Sequence, residues 1–239
     1  MAETAGPSPI YLLAGGGRSH RKDGDSLLSQ VLTTCRVPHP SVAYVGAASD
    51  DDQGFFSMIS IEMRGCGAGQ VTLAPLVSTW SKVRKAQAIL ESADMVFVSG
   101  GDVEAGMEVL EEREILPFLR GLYQGGKPFF GLSAGSIMLA RQWVRWDDPD
   151  DDTTAGVFPC MGLASLVCDT HGEAEGWEEL QVLLRLTPEG TVGYGIPSGA
   201  GLCVAPDGTA EAMGHPVHRY AHGAGKAVRI ADLPPQGPR

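Results

Sequence analysis

Short apolar runs alternate with amphipathic stretches through the first two-thirds of the chain. Ile10–Ala14, Ser41–Gly46, Val71–Leu73, Met95–Val98 and Pro128–Gly131 have strand length, and glycines close several of them, Gly15-Gly16-Gly17 after the first and Gly100-Gly101 after the fourth. Between them apolar residues recur at helical spacing. Asp25–Cys35 carries Leu27, Leu28, Val31 and Leu32; Phe55–Arg64 carries Phe55, Met58, Ile59 and Met63; Ser81–Glu91 carries Val83, Ala86, Ile89 and Leu90. Val103–Tyr123 reads as helix with a break near Pro117, and Ala134–Trp143 as another helix. Strands alternating with helices predict βαβ units. The fold class is therefore three-layer α/β, with a mostly parallel central sheet covered on both faces.

After Trp146 the pattern changes. Asp147–Asp152 holds five aspartates around Pro149 and reads as a loop. Leu166–Cys168 is a strand candidate and Gly176–Leu186 a helix. From Thr191 onward the chain breaks into strand-like runs, Thr191–Ile196, Leu202–Ala205, Ala210–Met213, Val217–Ala221 and Lys226–Ile230, separated by Gly and Pro turns. This β-rich C-terminal portion is expected to complete a single domain over residues 1–233. A frayed tail is expected over 234–239, with Pro234, Pro235 and Pro238.

The chain has 239 residues, 43% of them apolar, enough for one large core. A net charge of -11 argues against nucleic acid and anionic membrane as partners, because both reward basic patches. No run approaches 18 apolar residues, and MAETAGPSPI lacks the features of a secretory signal. The five cysteines, Cys35, Cys66, Cys160, Cys168 and Cys203, are odd in number and form no C-x-x-C pair, so reduced thiols and a cytoplasmic setting are expected. A homodimer is among the states the sequence leaves open.

Gly131-Leu132-Ser133-Ala134-Gly135 fits G-x-S-x-G, the pattern of a nucleophile elbow. It lies between a strand-like run and a helix-like run, the context the motif demands. The plainer alternative is a tight turn whose serine caps a helix. Ser99-Gly100-Gly101-Asp102 also follows a strand and opens a helix. Its glycine N–H groups suit an oxyanion, so Gly101 and Ala134 are the candidate two-donor hole. Here too there is a plainer alternative, a glycine turn with Asp102 as N-cap. Among His20, His39, His171, His215, His218 and His222, His171 is the leading candidate base, because it lies just after a strand in the second half, where a base can be presented rigidly.

Three segments, Phe97-Val98-Ser99-Gly100-Gly101-Asp102, Gly131-Leu132-Ser133-Ala134-Gly135-Ser136 and Asp169-Thr170-His171, resemble the aspartyl dipeptidase and cyanophycinase family of serine peptidases in order and spacing, from about residue 10 to residue 205. The resemblance implies a fold like that of class I glutamine amidotransferases, with serine where those enzymes have cysteine. It implies Ser133 as nucleophile, His171 as general base and the Gly101 and Ala134 N–H groups as oxyanion hole, with no metal or cofactor.

Two departures from the family pattern matter. Where the family carries a glutamate that orients the histidine, Gly195-Ile196-Pro197-Ser198 places Ser198, a hydroxyl that cannot stabilise imidazolium as a carboxylate does. Asp148, Asp169, Glu173, Glu175 and Asp207 are the candidate replacements, and the sequence does not choose among them. Family members that recognise acidic substrates have arginines after the histidine; here the segment is Gly172-Glu173-Ala174-Glu175-Gly176-Trp177-Glu178-Glu179. With Asp102, Glu173 and Glu175 as candidate substrate contacts, a neutral or cationic substrate is expected. Glu178 and Glu179 also suit the first turn of a helix, where the dipole favours carboxylates.

The Asp147–Asp152 run lacks the ligand spacing of a calcium loop. His218, Tyr220 and His222 would share a strand face without further metal ligands. The expectation is a serine hydrolase of the dipeptidase or exopeptidase type acting on a small peptide or amide. The alternatives are a catalytically weakened relative that binds a small ligand in the same pocket, and an esterase or acyltransferase using the same serine.

Overall fold

The computed structural model describes residues 6–15, 26–78, 80, 82–148 and 150–235. Gly16, Gly17, His20, Asp25, Ser81, Pro149 and positions 236–239 lie outside them.

Five apolar runs become the parallel strands Ile10–Leu13 (β1), Val42–Val45 (β2), Val71–Ala74 (β3), Met95–Val98 (β4) and Phe129–Leu132 (β5). Alternate residues of a strand point to opposite faces, and in these strands nearly every residue on either face is apolar. Ile10, Leu12, Ala43, Val45, Val96, Val98 and Phe129 pack into one core, while Tyr11, Leu13, Val42, Tyr44, Met95, Phe97 and Phe130 pack into the other. The second core is closed by helices Leu27–Thr33 (α1) and Gln53–Gly65 (α2), through Val31, Leu32, Ile59 and Met63. The first is closed by Val83–Ser92 (α3), Val103–Glu112 (α4), Leu116–Gln124 (α5) and Ala134–Leu139 (α6). The break expected near Pro117 separates α4 from α5. Glu114 takes φ 53° there, and the proline falls in the first turn of α5, where its missing N–H is no loss.

The expected helix Ala134–Trp143 is shorter than its apolar pattern suggested. All six residues of α6 are buried, and the chain turns extended at Ala140. The Arg141 N–H bonds the Leu166 carbonyl, and Gln142–Trp146 (β6) pairs antiparallel with Ala155–Pro159 (β7). The aspartate run forms the tip of that hairpin. Trp143 is thus on a strand opposite Phe158, not on a helix.

The C-terminal strands divide between two sheets. Gly201–Val204 (β10) pairs antiparallel with β1 and Ala210–Met213 (β11) extends that edge, giving a mainly parallel sheet of order β11-β10-β1-β5-β4-β2-β3. Val192–Ile196 (β9) runs parallel to Val167–Thr170 (β8). With Val217–Gly223 (β12) and Lys226–Leu233 (β13) they make a second sheet of order β13-β12-β9-β8. Helix Glu178–Arg185 (α7) covers this sheet through Leu180, Leu183 and Leu184, against Val167 and Tyr220. Past β13, Pro235 still bridges to Ala212. Buried α6 touches both sheets and so fixes the end of β5 relative to the end of β8.

Candidate active site

Ser133 stands between β5 and α6 with φ 53° and ψ -123°, a backbone conformation that costs an L-residue about 1–3 kcal/mol. The surroundings impose it. The Ser133 N–H bonds the Leu13 carbonyl at 2.8 Å, and the Ser136 hydroxyl donates to the same carbonyl at 2.9 Å. The flanking glycines are there because backbones touch: a Cβ on Gly131 would lie 2.6 Å from Gly135, and one on Gly135 would lie 2.1 Å from the Val98 carbonyl oxygen. The turn that carries Ser133 is therefore wedged between β1 and β4.

The Ser99–Asp102 turn follows β4. Asp102 caps α4, its Oδ1 accepting the Ala105 N–H at 2.9 Å, while its own N–H reaches the Ala48 carbonyl. Gly101 has φ 140°, and a Cβ there would sit 1.8 Å from the Ala48 oxygen, so only glycine fits. Asp102 is the cap, and among the described residues neither the Gly101 nor the Ala134 N–H has a protein acceptor. Both residues line the same cleft as Ser133.

His171 follows β8 with φ 44°, its N–H bonded to the Ile196 carbonyl of β9 at 2.9 Å. Its Nε2 lies 2.7 Å from the Ser133 Oγ. The two residues come from different sheets and are 38 positions apart, yet meet in a hydrogen bond.

The candidate third groups are scattered. Ser198 is exposed, and its N–H donates to Glu173 Oε1 at 2.6 Å; among the described residues neither its hydroxyl nor any carboxylate bonds His171. Asp148 and Asp207 hold turn N–H groups of Asp150 and Thr209, in the β6–β7 and β10–β11 turns, and neither lines the cleft. Asp169 and Glu175 do line it.

The cleft has a volume of about 420 Å³, in the range of small-molecule sites. Its wall carries Asp102, Asp169, Glu175, Glu178 and Glu179 and, among the described residues, no lysine or arginine. Asp169 is only 6% exposed. Burial, then the charges of Glu179, Glu175 and Glu173, push its carboxyl up to about 7, against the opposing pull of the Thr170 N–H. Trp143 donates its indole N–H to Glu179 Oε2 at 3.0 Å and lines the cleft beside it. Trp143 was the site residue hidden from sequence reasoning. Glu178 and Glu179 do occupy the first turn of α7, and they face the cleft as well.

Burial pushes the Cys160 thiol up to about 12 and the Cys168 thiol well above its usual range, so neither supplies a thiolate. His218 meets Asp232 and Arg229, and His222 meets the Thr187 carbonyl. Among the described residues no three His, Cys, Asp or Glu side chains group as for a metal, and no helix is long and apolar enough to cross a membrane.

A mainly parallel sheet thus ends, at one strand, in a glycine-wedged serine that meets a histidine from a second sheet. The sequence matches the model of peptidase family S51 over residues 10–212, and the chain belongs to that family. It is 27% identical over 130 residues to peptidase E of Pasteurella multocida (strain Pm70), covering 51% of this chain and 55% of that one. It is 25% identical over 122 residues to peptidase E of Actinobacillus pleuropneumoniae serotype 5b (strain L20), covering 48% and 52%. The aligned part thus spans about half the length of these curated relatives. The fold is similar to the crystal structure of a peptidase from an acI-B1 Actinobacterium, with a TM-score of 0.67, 15% identity and coverage of 95% and 99%. It also resembles a putative peptidase E protein from Listeria monocytogenes EGD-e, with a TM-score of 0.61, 12% identity and coverage of 87% and 98%.

Proposed function

We propose that the protein is a serine peptidase of the dipeptidase or exopeptidase type, acting on a small peptide or amide through an acyl-enzyme at Ser133. The observation that carries this reading is the 2.7 Å Ser133 Oγ to His171 Nε2 hydrogen bond, formed at a strained turn beside two N–H groups that have no acceptor among the described residues. Ser133 Oγ attacks the scissile carbonyl carbon while its proton passes to His171 Nε2. The developing oxyanion is held by the Gly101 and Ala134 N–H groups. The C–N bond breaks, and His171 returns its proton to the departing amine. Water then attacks the ester, giving one proton to His171; collapse returns that proton to Ser133 Oγ and frees the carboxylic acid, which loses its remaining proton to solvent. This cycle requires the proton of neutral His171 to sit on Nδ1. The five cysteines, none of them paired, support a cytoplasmic setting for it.

A second reading is favoured by one observation, that no carboxylate bonds His171 among the described residues. It is a catalytically weakened relative that binds a small ligand in the same cleft. Losing the orienting carboxylate of a triad costs about 10⁴-fold in kcat. Hydrolysis of a panel of dipeptides, tripeptides and esters separates the readings. The peptidase reading predicts amide turnover that disappears in both Ser133→Ala and His171→Ala. Ester turnover alone would point to an esterase, and binding of panel members without any turnover to the weakened relative.

A further inference from the structure

Among the described residues the wall of the cleft carries five carboxylates and no lysine or arginine. Glu178 and Glu179 have a ready explanation in the dipole of α7, and Asp102 in its capping of α4, but no helix end accounts for Asp169 on β8 or Glu175 in the loop between β8 and α7. Asp169 is the telling member. It is more than nine-tenths buried, its Oδ1 accepts the Thr170 N–H at 2.7 Å, and its Oδ2 meets no donor among the described residues. That free oxygen faces Gly172, also on the cleft wall, where a Cβ would come within 3.0 Å of it. Glycine at 172 therefore keeps the approach to Oδ2 open. On the same cleft wall the Trp143 indole N–H holds Glu179 at 3.0 Å. Asp169 thus turns an oxygen without a donor toward a cleft wall that also holds Glu175 and Glu179, an arrangement that a bound cation would complete.

We infer that the cleft selects substrates by a cationic group on the residue that acylates Ser133, an ammonium or guanidinium received between Asp169, Glu175 and Glu179. This rests on the serine peptidase reading for which residue is acylated, though not for the charge preference itself. Two parts of a substrate offer that chemistry, the α-ammonium of an N-terminal residue and the side chain of lysine or arginine. An acidic side chain is excluded by the same wall. Negative potential focused in a concave site also draws cations to it from a distance, and salt weakens that pull.

The test is calorimetric titration of the Ser133→Ala protein with Lys-Ala, norleucyl-Ala, N-acetyl-norleucyl-Ala and Asp-Ala. Lys-Ala against norleucyl-Ala isolates the side-chain charge, and norleucyl-Ala against its acetylated form isolates the α-ammonium. At least one of these charges should tighten binding by about tenfold at low salt. The gain should shrink toward twofold in a Glu175→Gln/Glu179→Gln background and at high ionic strength. Asp-Ala should bind most weakly of the free dipeptides. Competition of the same peptides against fluorophosphonate labelling of the wild-type protein gives the ranking independently of the variant. Equal binding of all four, or tightest binding of Asp-Ala, would overturn the inference. Labelling by the fluorophosphonate without any charge preference would leave the serine chemistry intact and sink this inference alone. A charge preference without labelling would do the reverse.

Discussion

Replacing Asp169 with asparagine should stabilise the protein, and by an amount that depends on pH. The folded protein raises this carboxyl from an ordinary 3.8 to about 7, chiefly by burying it and then through Glu179, Glu175 and Glu173. A shift of about three units at about 1.4 kcal/mol each is about 4 kcal/mol, an upper figure because water entry and relaxation reduce it. Between pH 4 and 7 the folded chain keeps a proton that the unfolded chain has released. Stability contributed by the protonated group is full below about pH 4, falls as pH rises through this window, and is lost above about pH 7. Asparagine does not titrate and its amide oxygen can still accept the Thr170 N–H. Urea denaturation of both proteins at several pH values reads the difference. Asp169→Asn should exceed wild type by up to about 4 kcal/mol at pH 8, by about 1–2 kcal/mol at pH 5, and by little near pH 4. A difference that does not change with pH, or a variant less stable than wild type at pH 8, would refute the reasoning.

Other consequences are open to equally direct checks. Ser133→Gly should unfold at higher temperature than Ser133→Ala, by about 1–2 kcal/mol in stability, because glycine relieves the positive φ that alanine retains; equal melting points would show that the elbow is not strained. Gly101→Ala should destabilise by about 2–4 kcal/mol and abolish peptide turnover, since its Cβ would fall on the Ala48 carbonyl; melting and turnover close to wild type would contradict the close packing of this turn. Cys160 and Cys168 should stay unmodified by maleimide in the native protein and react on unfolding, as buried thiols do. Rapid native labelling of either, read by mass spectrometry, would place it on an accessible surface.

The site was legible where the backbone itself needs particular residues. Gly131, Gly135 and Gly101 are imposed by contacts of a few ångströms between adjacent strands, and such contacts leave a mark in any sequence that makes them. The parallel strands were equally readable, because burial on both faces turns each into an unbroken apolar run. Trp143 was misplaced for the opposite reason. The stretch after Ser133 is apolar throughout, and periodicity alone does not mark where a short, fully buried helix gives way to a strand. The bond that ends it, Arg141 to Leu166, is made to a segment the local pattern does not reveal. Division of the C-terminal strands between two sheets was hidden likewise, since β10 pairs with β1 across almost the whole chain. The partner of His171 stayed unreadable because every candidate carboxylate lies near a turn or strand end, where reach depends on how the sheets meet. Glu173, which the spacing left among the candidates, instead clasps the Ser198 N–H and ties the loop after His171 to the one after β9.

The central claim, an activated serine at position 133 served by His171, is tested most directly by locating the adduct of a fluorophosphonate. The folded wild-type protein should gain one adduct, mapped by peptide mass spectrometry to Ser133, and His171→Ala should gain none on the same timescale. An adduct on another residue, undiminished labelling in His171→Ala, or no adduct on folded wild type would contradict it.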